Sequence, residues 1–250
     1  MNFLQLCKKV CYEAGIAGGA DAITTVVGNV GEIHRVTQYV RDALIEIENK
    51  YQHSGLLLRY QVASFTLTTV AEQAAYGWDD AAVIDDDTSA VFDRFQTWLL
   101  KDYNDPPLIY LQSAGVGTQG YLVYMPWLDF KRRYRIGTQV SSAPQDITID
   151  NRNRLVLGPT PNDVYIVNAD LILGPQDLNL GDDPNVSTPI MPSQFHEVIV
   201  WRALMEYGMH ESAPEVVTRA DNKYSTWIGD LEANQLCDLS MAGPMGGALA

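Results

Sequence analysis

The 250-residue chain is 46% hydrophobic, enough to bury a sizeable core as one large domain or two small ones. Its 17 Lys and Arg stand against 31 Asp and Glu, a net charge of −14, which is the wrong sign for gripping nucleic acid, because grip comes from cations that displace counterions from phosphates. No run approaches the ~18 to 20 continuous apolar residues of a membrane span, so a folded, soluble protein is expected.

The opening stretch "MNFLQLCKKVCYEAG" carries its lysines after the apolar residues and has no apolar h-region. It does not read as a signal peptide, and the chain is expected to stay in the cytoplasm. Residues 3 to 14 predict a short helix with Phe3, Leu6, Cys7, Val10 and Cys11 on one side, stopped by Gly15. Cys7, Cys11 and Cys237 are an odd number without zinc-site spacing, and free core thiols are expected. After a loop rich in Gly and Thr, Ile33, Val36, Val40, Leu44, Ile47 and Tyr51 recur at steps of three and four with charged residues between them. This is the cleanest amphipathic helix in the chain, and it needs a partner.

The middle of the chain changes period. "SFTLTTV" (64 to 70) alternates and is β-branched, the mark of a strand. "WDDAAVIDDDTSA" (78 to 90) concentrates Asp79, Asp80, Asp85, Asp86 and Asp87, hard oxygen ligands suited to a divalent cation. The spacing is not that of an EF-hand, however, and three consecutive aspartates diverge. A solvated loop or the start of a helix over Val91 to Leu100 is the plainer expectation. "LIYLQ" (108 to 112) and "YLVYM" (121 to 125) read as strands. Between them "GVGTQG" (115 to 120) matches G-x-G-x-x-G, yet a strand follows the glycines where a dinucleotide site needs a helix N-terminus.

"PWLDFKRRYRIG" (126 to 137) predicts a short helix from Pro126 to Gly137 that carries the one dense basic run, Lys131 to Arg135. Such a run is either a solvated face or a contact patch. "DITIDNRNRLVLGP" predicts a hairpin in which Ile147 and Ile149 face Leu155 and Leu157 across the Asn151-Arg152-Asn153 turn. "DVYIVNADLIL" (163 to 173) adds a strand, and Asp182 and Asp183 read as loop residues.

Helical period returns after residue 188. "PSQFHEVIVWRALMEYG" (192 to 208) holds a His-Glu pair, but the second His of a zinc-binding HExxH is replaced by Val200. Phe195, Val198, Ile199, Val200, Trp201, Leu204, Met205 and Tyr207 are spread all round this helix, so it must be covered on most sides. A helix from Pro214 to about Leu239, with Val217, Ala220, Tyr224, Trp227, Ile228 and Leu231 as its stripe, supplies cover equally as well as a neighbouring copy does. No strained Gly-x-Ser-x-Gly turn exists, and His34, His53, His196 and His210 form no recognisable triad.

These elements predict an α+β fold: a helical bundle built from N-terminal (1–54) and C-terminal (188–240) helices, with a small β-rich unit (55–187) inserted between them and a flexible tail (241–250). In their order, "GNVGEIHRVTQYVRDALIEIE", "WLDFKRRYRIG", "LVLGPTPNDVYIV" and "PIMPSQFHEVIVWRALMEYG" resemble the head-to-tail adaptor proteins of tailed bacteriophages over about residues 4 to 235. The resemblance implies a structural virion protein, neither enzyme nor cofactor binder, that forms a ring, expected to be a dodecamer, on the portal vertex. It implies the portal protein, neighbouring copies and tail or nozzle proteins as partners, with DNA passing through a channel without tight binding and no membrane contact. It places the chain in the virion neck, made in the host cytoplasm. Trp201, Met205, Met241, Met245 and Leu249 are the expected contacts with portal or subunit, and Asp79, Asp80, Asp85, Asp86 and Asp87 the acidic surface or channel residues. The competing readings are a metal-dependent hydrolase using the 79–87 aspartates, and another tail structural component.

Overall fold

The computed structural model describes residues 1–52, 57–100, 106–137, 140–180 and 183–236. His53, Asp182, Cys237, Met241, Met245 and Leu249, and with them the expected 241–250 tail, lie outside the described residues. The fold is mixed α+β. Among the described residues the α-helices are α1 (Phe3–Ala14), α2 (Gly31–Gln52), α3 (Trp127–Tyr134), α4 (Glu197–His210) and α5 (Pro214–Gln235). The strands are β1 (Val62–Thr68), β2 (Ala75–Tyr76), β3 (Val83–Asp85), β4 (Thr97–Leu99), β5 (Leu108–Leu111), β6 (Gly120–Tyr121), β7 (Val123–Tyr124), β8 (Asp146–Ile149), β9 (Leu155–Gly158) and β10 (Tyr165–Ile172). The chain divides into two units, Met1–Tyr60 with the described residues from Pro175 onward, and Gln61–Gly174.

In the first unit, α1 starts where Asn2 and Gln5 form a reciprocal capping box, and it stops at Gly15, whose φ of 73° puts it in the left-handed region that glycine enters at least cost. Its predicted stripe of Phe3, Leu6, Cys7, Val10 and Cys11 is fully buried, as are Val36, Val40, Leu44 and Ile47 of α2. These side chains meet Val198, Ile199, Val200, Leu204 and Leu231 from α4 and α5 in one apolar cluster. Burying each such aliphatic side chain is worth about 1.5–3 kcal/mol. Where the chain re-enters this unit, Arg41 of α2 makes a two-pronged pair with Asp177, both bonds at 2.8 Å. The buried carboxylate of Glu48 accepts the Gln176 N–H at 2.6 Å.

The described residues of the second unit form two sheets. In the larger, the order is β3-β1-β10-β5-β6, and one edge of β10 is shared, with β5 on Tyr165–Asn168 and β4 on Asp170–Ile172. The smaller runs β2-β9-β8-β7, with β7 parallel to β8. Phe65, Leu67, Trp98, Val167 and Leu171 from the first sheet share a core with Ile147, Leu155 and Leu157 from the second. The hairpin forms in the predicted register, Ile147 opposite Leu157 and Ile149 opposite Leu155, and Asn153 takes the positive φ of 62° in its turn.

Several boundaries differ from expectation. No helix covers Val91 to Leu100; Thr97–Leu99 is the short strand β4, antiparallel to β10. The run at 121–125 is parted between two sheets, because Tyr121 pairs with Leu108 while Val123 pairs with Asp146. Helix α3 ends at Tyr134, ahead of Gly137. The helix expected from residue 192 begins with a 3-10 turn at Ser193–Phe195 and becomes α-helical only at Glu197.

Candidate functional site

The His-Glu pair of α4 is bound into packing. His196 is buried; its Nδ1 faces the N-terminal ammonium and its Nε2 lies 2.8 Å from the Met191 carbonyl. A neutral ring satisfies both contacts, with Nδ1 accepting and Nε2–H donating. Burial lowers its pKa, and the nearby ammonium lowers it further. Glu197 pairs with Lys9 of α1. Among the described residues no group of three or more His, Cys, Asp or Glu is placed to hold a metal ion.

The cover on α4 comes from its own chain. Trp201 is only 7% exposed and belongs to the apolar cluster, and Met205 is half-buried against it. Beside them Arg202 is held between Glu46 at 2.7 Å and Glu206 at 2.6 Å. Tyr207 donates to Glu32 of α2 at 2.7 Å. Burial, followed by that bond to a carboxylate, pushes its phenol well up.

The five aspartates divide by role. Asp80 accepts the Ala82 N–H at 3.1 Å. Asp85 accepts those of Asp87 and Thr88 at 2.8 and 3.3 Å, while its own backbone bonds Ala90 and Ser89. Both carboxylates therefore fix their own loops. Asp79, Asp86 and Asp87 are exposed, so this stretch presents charge from a pinned turn. Asp183 likewise accepts the Asn185 N–H at 3.0 Å. The Gly-rich 115–120 stretch makes a 3-10 turn at Gly115–Thr118 and runs directly into β6. No α-helix N-terminus follows the glycines.

The basic run sits on α3. Arg133 pairs at 3.0 Å with Asp146, whose carboxylate also accepts from Tyr134, and Arg132 pairs at 3.3 Å with Asp129. Burial, followed by the bond to Asp146, pushes the Tyr134 phenol up to about 12. Two further cations, Arg152 and Arg154 from the β8–β9 turn, line a cleft with Trp127 and Lys131 of α3 and Arg135 at its C-terminal end. Sequence spacing missed them because they lie about twenty positions from the run they join. The signal was the hairpin itself, which brings its turn to α3. Asp150 in that turn accepts the N–H groups of Arg152 and Arg154 and both prongs of the Arg154 guanidinium. Burial alone raises a carboxyl pKa, but these bonds outweigh it and hold Asp150 below the usual range.

No helix among the described residues is long and apolar enough to cross a membrane. The family model described as SU10 adaptor protein matches residues 1–240. No curated protein matches the chain.

Proposed function

The chain belongs to the SU10 adaptor protein family, a family of bacteriophage head-tail adaptors, and from that premise we propose that its copies form a ring on the portal vertex which joins capsid to tail. The observation that carries this reading is the family match over residues 1–240. Each subunit brings −14 to the ring, so a channel wall of such subunits repels phosphate and lets DNA pass without sticking. In this reading the helices of the first unit form the rigid bundle of each subunit, and the β-rich residues inserted between them extend the contact surface. The exposed Asp79, Asp86 and Asp87 contribute to the acidic surface. The protein is made in the host cytoplasm and ends in the virion neck.

Met241, Met245 and Leu249 serve as a docking arm, since ten extended residues reach about 33 Å, and Met205 adds a contact next to the core. Deleting residues 241–250 is expected to leave the fold intact and to reduce occupancy on portals. Truncated protein at wild-type occupancy removes the arm. The ring itself is tested by electron microscopy of virions labelled on this protein. Twelve copies at the portal vertex are expected; label along the tail instead makes the chain another tail component.

A further inference from the structure

Charge is unevenly placed within the second unit. Residues 131–154 hold six of the 17 Lys and Arg and two of the 31 Asp and Glu, and are +4 in a chain of −14. Residues 60–93 hold seven acidic residues and no Lys or Arg. Four of these six cations, Lys131, Arg135, Arg152 and Arg154, line the cleft of about 370 Å³ between α3 and the β8–β9 turn. Asp150 is consumed there by Arg154, which leaves Lys131, Arg135 and Arg152 with no carboxylate in ion-pair distance among the described residues. Lys131 lies 5.9 Å from the centre of the Trp127 ring, so the cleft offers three cations beside an aromatic wall.

Guanidinium forks match carboxylates or phosphates. Net charge does not choose between these, because a phosphate backbone and a second copy of −14 both meet the same repelling field. Carboxylates are supplied in quantity by the chain itself. Asp86 and Asp87 stand exposed on a turn whose shape is set by the Asp85 bonds to Asp87 and Thr88, so little order is lost when the turn docks. A two-fold contact that brought cleft against cleft would oppose like charges. A head-to-tail contact joins opposite ones, and head-to-tail contacts generate rings where the rotation closes.

We propose that the cleft between α3 and the β8–β9 turn receives the Asp86–Asp87 turn of a second copy of the chain, pairing Lys131, Arg135 and Arg152 with the neighbour's carboxylates. The inference rests on the ring reading above and assigns its subunit contact. Carbodiimide coupling of a mixed ¹⁴N/¹⁵N preparation, and of assembled particles, reads it directly, since the reagent joins an ammonium to a carboxylate without a spacer. The expected product links Lys131 of one copy to Asp86 or Asp87 of another. Arg135→Glu with Arg152→Glu, or Asp86→Lys with Asp87→Lys, should each weaken self-association at least about tenfold in sedimentation. An equimolar mixture of the two, or the fourfold variant, should restore it, because both then meet opposite charge. Inter-copy links elsewhere, with reversed variants assembling like the wild type, overturn the contact and leave the ring standing. No link at Lys131 in particles, with the reversed variants assembling like the wild type, likewise overturns the contact, and the ring is then judged by the particle images alone. Duplex DNA retarded by the wild type, released by Arg135→Glu with Arg152→Glu and not recovered in the fourfold variant assigns the cleft to phosphate and overturns the proposal.

Discussion

His196 couples the stability of the first unit to pH. Its folded-state pKa lies below the ordinary value of 6.5, through burial first and the N-terminal ammonium second. As pH falls through about 6.5 the unfolded chain takes up a proton that the folded ring refuses, so the unfolded state is favoured. The His196 contribution is therefore complete above that value and is lost progressively below it. Urea denaturation between pH 7.5 and 5.5 should show stability falling toward acid, and His196→Gln should flatten that fall; an unchanged slope puts the sensitivity on other groups. Trp201 acts by volume. It is almost wholly buried in the apolar cluster, and its indole N–H has no hydrogen-bond partner among the described residues, so packing is what it contributes. Trp201→Ala should cost about 3–5 kcal/mol and Trp201→Phe distinctly less, both read from denaturant midpoints. Full stability in the alanine variant would show that the indole is not part of the core.

Between elements, α4 and α5 approach each other closely at Gly208. A Cβ built there lies 2.8 Å from Val217 Cγ2, 3.2 Å from the Val217 nitrogen and 3.3 Å from Val216 Cβ. Gly208→Ala gains up to about 1 kcal/mol of helix propensity, but the neighbours it strikes include backbone, and overpacking costs about 1–3 kcal/mol. A net loss of stability is expected in thermal or denaturant unfolding, whereas a stabilised variant would mean that α5 shifts freely. These helices were legible in the sequence because their burial follows local period. Every residue of the stripe predicted for α1 is buried, and Ile147 and Ile149 take the partners that alternation assigns them. Strand β4 was not legible, since its three residues find their pairing partner some seventy positions away in β10, and no local period records that. The same reason hid the cleft. Lys131 to Arg135 form an obvious run, but Arg152 and Arg154 reach it only once the β8–β9 hairpin has formed. The aspartates were legible as a cluster, and only the structure separated Asp80 and Asp85, bonded to their own loops, from the exposed Asp79, Asp86 and Asp87.

For the whole molecule, the long reach of −14 and the short reach of an ion pair respond differently to salt. At 0.01 M the Debye length is ~30 Å, so the entire field of one subunit opposes the next. At 0.1 M it is ~10 Å and distant charges are screened, while the pairs proposed within the cleft are screened much less. At 1 M, with ~3 Å, the exposed pairs weaken too. Self-association of the purified chain should therefore be strongest near physiological salt and weaker on either side, with mainly monomer in dilute low-salt buffer. In the proposed ring the portal is a ready circular surface whose contacts add to those between copies, so assembly on portals should tolerate low salt better than assembly in solution. Light scattering across a salt series checks the first point and co-sedimentation with portals the second. Association that only grows as salt is removed would mean that the complementary contact outweighs the net charge at every range, and sub-micromolar affinity for duplex DNA at physiological salt would contradict an acidic wall that lets the genome pass.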